Sequence, residues 1–180
     1  MQRLHLIFAF IVLLWVSSCK HPKEGNFTLQ VKAKYDAQTF AVGIANSDPL
    51  GRRIQIDKLK FYLSHITLVK NDNSELELKD VVLCDLSNPN SLSYNIQNVS
   101  GDFKAIKFSC GVDSIQNLTD PLSVPSDNPL SSDNNMYWSW LKYQFQLLDA
   151  RCDTTTTGAG NFNWFPRYHI GGNSMYRTAS

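Results

Sequence analysis

From Phe27 to Tyr35 the chain alternates apolar and polar residues, with Phe27, Leu29, Val31, Ala33 and Tyr35 sharing one side. That period-two pattern predicts a strand with one wet face. It recurs in Ile54–Asp57, Leu59–Leu63 and Leu76–Val82. Turn residues separate the runs at Ser47-Asp48-Pro49-Leu50-Gly51 and at Asn71-Asp72-Asn73-Ser74, and the second predicts a hairpin between Thr67–Val69 and Leu76–Leu78. Ser100-Gly101-Asp102 precedes another short strand, Phe103–Phe108. The segment Gln116–Asn135 is rich in Asp, Asn and Ser and carries Pro121, Pro125 and Pro129, so it must be irregular; loops of that length in compact domains often serve function. Asp153–Gly160 is a second connection, before Phe162–His169. With many short strands and no amphipathic helix beyond two turns, the pattern predicts an all-β fold, an antiparallel β-sandwich.

The long irregular segment runs directly into Met136–Phe145, MYWSWLKYQF, which it is placed to cover or to open. In an extended strand Trp138 and Trp140 project from one face, with Tyr137 and Ser139 on the other. Core packing explains such a strand without any function.

The N-terminal residues change the picture of where the domain resides. Arg3, an apolar run from Leu4 to Trp15 and Val16-Ser17-Ser18 have the layout of a secretory signal over residues 1–18. The apolar run falls short of the about 20 residues a membrane helix needs. Cys19 at the cut is similar to a bacterial lipobox, so acylation of its thiol is expected, with residues 19–26 as a polar tether and 27–180 as the domain. Acyl chains contribute about 0.8 kcal/mol per buried methylene, enough for a multiply acylated Cys19 to hold the protein on a membrane of the cell envelope, facing the periplasm or the outer membrane. Removing 18 residues leaves 162 of the 180, which suits one domain.

A net charge of +1, with no basic cluster beyond Arg52-Arg53, gives no electrostatic footprint for nucleic acid. Cys84, Cys110 and Cys152 remain after Cys19 is set aside. One bridge and one free thiol is the simplest expectation in an oxidising compartment. Cys84 and Cys110, ending the runs VVLC and IKFSC, are the favoured pair. No CxxC or CxxH spacing supports a cysteine metal site.

Five motifs occur in a fixed order: FYLSH at Phe61–His65, CGVD at Cys110–Asp113, MYWSW at Met136–Trp140, KYQF at Lys142–Phe145 and YHIGG at Tyr168–Gly172. In this order they resemble the methanobactin-associated copper-binding protein family, the MbnP-like domain, from about Phe27 to the last residue. The resemblance implies an exported β-sheet protein that binds copper through histidines and a tryptophan oxidised to kynurenine. It points to His169, His65 and one of Trp138 or Trp140, and to a separate tryptophan-modifying oxidase as partner. Imidazole suits copper, and His169 precedes a glycine pair able to present it at a rim. In a straight strand His65 shares a face with Phe61 and Leu63, which suits a buried histidine. His21 lies in the tether. Met136 and Met175 flank the motifs as potential soft sulfur donors, although core packing accounts for Met136. Family members usually run on past the histidine-glycine turn, so the end at Ser180 implies missing C-terminal strands and an open sheet edge.

Calcium is a further expectation, through the oxygens of Asp113, Asn117, Asp120, Asp127 and Asp133, though without EF-hand spacing. No Gly-x-Ser-x-Gly elbow, HExxH or phosphate loop occurs, so a non-enzyme is expected. A rival reading, a sandwich that binds a protein or glycan through its aromatic segment, needs no metal.

Overall fold

The computed structural model describes residues 24–155 and 157–180. Twelve strands carry the described chain: β1 (Glu24–Gln30), β2 (Lys34–Tyr35), β3 (Gln38–Thr39), β4 (Ala45–Ser47), β5 (Arg53–Lys70), β6 (Glu75–Asp85), β7 (Ser93–Ser100), β8 (Phe103–Cys110), β9 (Tyr137–Trp138), β10 (Lys142–Cys152), β11 (Arg167–Gly171) and β12 (Arg177–Ala179). The helical pieces among the described residues are short 3₁₀ turns. The fold is all-β and antiparallel, as the alternation predicts.

One long strand organises it. β5 joins the two runs read separately as Ile54–Asp57 and Leu59–Leu63 and continues into the predicted hairpin with β6. On one edge it pairs first with β10 and then with β8; on the other it pairs with β4 and then β6. β11 extends the sheet beyond β10 and β12 extends it beyond β8. The C-terminal residues therefore form a sheet edge themselves: Arg177, Thr178 and Ala179 pair with Cys110, Ser109 and Phe108.

The middle of β5, around Tyr62–Leu68, is buried between two coverings. One face carries Leu63, Ile66, Val82 and Cys84 under the β1–β7 ribbon, which contributes Leu29 and Tyr94. The other carries Tyr62, Leu83, Tyr143, Phe145 and Leu147 under the long loop, which contributes Val124 and Leu130, with Val112 and Met136 from its two flanks. The loop is pinned by two tyrosines: Tyr62 Oη donates to the Pro129 carbonyl at 2.9 Å and Tyr143 Oη to the Leu130 carbonyl at 2.7 Å. The proline-rich excursion thus serves as a lid on the aromatic core, and Met136 is core, 1% exposed.

Three boundaries differ from the sequence reading. Residues 24–26, assigned to the tether, are the start of β1, with Glu24 and Gly25 paired to Ser100 and Val99 at the end of β7. The Phe27–Tyr35 run stops being strand at Gln30, and Tyr35 belongs to the small β2–β3 hairpin. The MYWSW segment is no core strand: only Tyr137–Trp138 is extended, and the chain turns back at once, the Leu141 N–H donating to the Trp138 carbonyl and Lys142 taking a left-handed φ of 64°. Cys19, His21 and the signal segment lie outside the described residues.

Candidate metal centre

β9 and β10 form a tight hairpin in which Trp138 pairs with Lys142. β11 lies along β10, with His169 opposite Leu147. These two pairings bring Trp138 and His169 into contact, ring centroids 4.8 Å apart in an edge-on arrangement. Trp140 is 74% exposed and packs on Trp138 at 5.3 Å, a layer further out. The two indoles do share a side, as expected, but through a turn rather than a strand.

Asp149, two residues beyond Leu147 on β10, reaches back to His169: its Oδ1 lies 2.9 Å from Nε2. With Nε2–H donating to that carboxylate, the lone pair resides on Nδ1, the arrangement by which a carboxylate orients a ligating imidazole. The His169 side chain is only 15% exposed. Gly171 lets β11 lie close against β10, since a Cβ there would meet the Tyr143 carbonyl oxygen at 2.5 Å, and Gly172 makes the turn that follows with a φ of 88°. Asp149 carries no sequence signal of its own, because its role depends on which strand pairs with β10.

His65 is placed elsewhere. His65 lies five positions beyond Lys60, which flanks Leu147 opposite His169, so strand dimensions put the two histidines roughly 20 Å apart. One mononuclear shell cannot use both, and the expected His65–His169 pairing is not formed. Nor is His65 buried beside Phe61 and Leu63. A β-bulge at this point sets two β5 residues against one on β8, and His65 takes a left-handed φ of 49°. Ile66 takes the inward place, 0% exposed, and the imidazole turns outward.

There it enters a carboxylate cluster. His65 Nδ1 lies 3.1 Å from Glu77 Oε1 and 3.6 Å from Asp80 Oδ1, both on β6, while Nε2 lies 2.9 Å from Asp113 Oδ2. Burial pulls the His65 pKa down, but Asp113 and Glu77 outweigh it and the net shift is upward. Asp113 is itself fixed, its Oδ1 accepting from the N–H groups of Ile115 and Gln116, and the Gln116 side chain donates to Asp80. Asp113 is held below the usual carboxylate range: burial alone would raise it, but these N–H groups and His65 prevail. Glu77 and Asp80 escaped the sequence reading because a strand's neighbours are set by register, not by spacing.

Several of the remaining expected donors are placed or engaged elsewhere. Cys84, Cys110 and Cys152 are free thiols. Cys84 pairs with Phe61 on one edge of β5 and Cys110 with Leu63 on the other. Two strand spacings, roughly 10 Å, separate them, beyond the ~7 Å limit for a disulfide. Of the calcium candidates, Asn117 is buried and bonds the Tyr143 N–H and Asn173, while Asp120 caps its own turn at Leu122. Met175 is 46% exposed on the turn after β11.

The fold has a counterpart in MbnP from Methylosinus trichosporium, with a TM-score of 0.62 at 13% identity, over 87% of this chain and 68% of that one. At that identity the likeness concerns the fold. No curated protein matches the chain in sequence. A family model does: the MbnP model spans residues 24–180, from the first residue of β1 to the end of the chain and across all five ordered motifs. The chain belongs to the MbnP family.

Proposed function

We propose that this protein is a copper-binding, non-catalytic component of the bacterial cell envelope, anchored through an acylated Cys19, with its copper at His169. The observation that supports the reading most is the His169–Trp138 contact inside the matched span, with Asp149 orienting the imidazole. The donor chemistry fits copper in part. His169 Nδ1 supplies one nitrogen of a type that suits the metal, whereas an intact indole supplies none. Oxidation of Trp138 to kynurenine by a separate oxidase would add an aromatic amine and a carbonyl beside that nitrogen. Trp138, not Trp140, is therefore the indole to be modified, since Trp138 alone of the two contacts His169. Copper bound there would be held by His169 and the modified Trp138, and the protein's part is to present the imidazole in one tautomer and to shield it.

The test is metal analysis with intact and peptide mass spectrometry on protein from its native envelope. One copper per chain is expected, with an oxidised Trp138 and an acylated Cys19. His169→Ala and Trp138→Phe should abolish copper and Trp140→Phe should retain it. Metal-free protein with intact tryptophans, or copper that survives His169→Ala, would defeat the reading. One observation favours the rival: Trp138 and Trp140 pack together at 5.3 Å and are both exposed at the β9–β10 turn, as aromatic anchors for a protein or glycan would be. Ligand capture lost in Trp140→Ala, without metal, would support it.

A further inference from the structure

We infer that His65, Glu77 and Asp80 form a second metal site, separate from His169, for a divalent first-row transition ion such as Zn²⁺. The three ligand atoms lie within 4.8 Å of one another. Zinc bonds of about 2.0–2.2 Å in a tetrahedron set neighbouring ligand atoms roughly 3.3 Å apart. Nδ1 of His65 stands 3.1 Å from Glu77 Oε1 and 3.6 Å from Asp80 Oδ1, so two edges of that tetrahedron already exist. The imidazole is there by construction: the bulge at His65 removes it from the buried face, where Phe61 and Leu63 pack, and turns it toward β6.

The outer groups have the arrangement of a ligand shell rather than of a chance ion pair. Both ring nitrogens face carboxylates, Nε2 toward Asp113 Oδ2 and Nδ1 toward Glu77 Oε1; in the neutral tautomer that keeps Nε2–H on Asp113, the Nδ1 lone pair is directed to the place between Glu77 and Asp80 that a metal ion would take. Asp113 is locked by two backbone N–H groups, and Gln116 Nε2 holds Asp80 Oδ1 at 2.8 Å. Second-shell bonds of this kind orient metal ligands. Three carboxylates face one imidazole, so even a protonated ring leaves the group net negative. The nearby ammonium of Lys107 is taken by Glu75 at 3.0 Å. One nitrogen with two carboxylates selects a borderline ion; calcium prefers six to eight oxygens, and Mg²⁺ keeps its water. His65 is 37% exposed, so the fourth position is open to water.

The experiment titrates metal-free full-length protein with Zn²⁺ by calorimetry, with Co²⁺ absorption reporting coordination geometry. One Zn²⁺ per chain is expected, with tetrahedral Co²⁺ bands. His65→Ala and the surface pair Glu77→Gln/Asp80→Asn should each weaken Zn²⁺ at least tenfold. Asp113→Asn, a positioning change, should weaken it about 10–100-fold while the Co²⁺ spectrum keeps its nitrogen ligand. His169→Ala should leave the site unchanged, which separates this result from that for copper. Circular dichroism confirms folding of each variant, and the surface pair, lying outside the core, keeps the test usable if His65→Ala unfolds. No stoichiometric Zn²⁺, Zn²⁺ equally tight in folded His65→Ala, loss of the site in His169→Ala, or Ca²⁺ binding tighter than Zn²⁺ would each overturn the assignment.

Discussion

Tyr143→Phe removes one oxygen from the centre of the molecule. Tyr143 is 0% exposed; its ring packs edge-on against Tyr62 at 6.0 Å and Tyr137 at 5.1 Å, and its Oη donates to the Leu130 carbonyl at 2.7 Å. Phenylalanine keeps the ring contacts, so the change isolates the hydrogen bond. Leu130 is 6% exposed, and water has little access to the abandoned carbonyl. Leaving a buried acceptor unpaired costs about 1–3 kcal/mol. In a domain of this size that lowers Tm by on the order of 5 °C. Tyr62→Phe should behave alike, since its Oη holds the next carbonyl back along the same loop, that of Pro129. The double variant should lose less than the sum, because the two rings touch and pin one segment. The assay is urea unfolding with a free fit of the m-value, beside limited proteolysis across residues 121–131. Tyr168→Phe, on an exposed ring, is the control and should stay within about 0.5 kcal/mol of the parent. If both core variants also stay within that range, with an unchanged m-value, the loop is not held by these tyrosines and its role as a lid is refuted.

Gly111 has a φ of 99°, and a Cβ there would run into the Phe145 ring, so Gly111→Ala should destabilise by about 2–4 kcal/mol from strain and overpacking; a smaller loss would mean that the Phe145 ring moves freely. In native protein at pH 8 a thiol reagent should label Cys110 first and Cys84 only on unfolding, because burial pushes the Cys84 thiol up to about 11; failure of both to label after denaturation without reductant would restore the disulfide. The Arg151 guanidinium beside Asp57 holds its carboxyl below the usual range. A depressed folded pKa contributes stability that is present above the unfolded value near 3.9 and lost as pH falls through the folded one, so unfolding midpoints should drop below about pH 4, less steeply in Asp57→Asn.

Side-chain alternation is local, and so the all-β class, the β5–β6 hairpin, the irregular segment with its three prolines and the grouping of the two indoles are all legible in the sequence. The ordered motifs placed the chain in its family for the same reason: they are runs of neighbours. His169 was singled out by the family resemblance, with its glycine pair as the local cue. Trp138 was named beside it only as one of two indoles and Asp149 not at all, because both reach His169 by the register of β10 against β11 and β9, which no spacing encodes. Alternation also assumes an unbroken pleat. A single bulge between Ser64 and Thr67 exchanges the faces of β5, carries His65 from core to surface and hands its inward place to Ile66. The same long strand keeps Cys84 and Cys110 on opposite edges, and its pairing with β6 gathers Glu77 and Asp80 around His65. Which residues are strand, the chain determined by itself. Which strands are neighbours, and in what register, is decided by burying both faces of β5 at once, and that placed every candidate ligand.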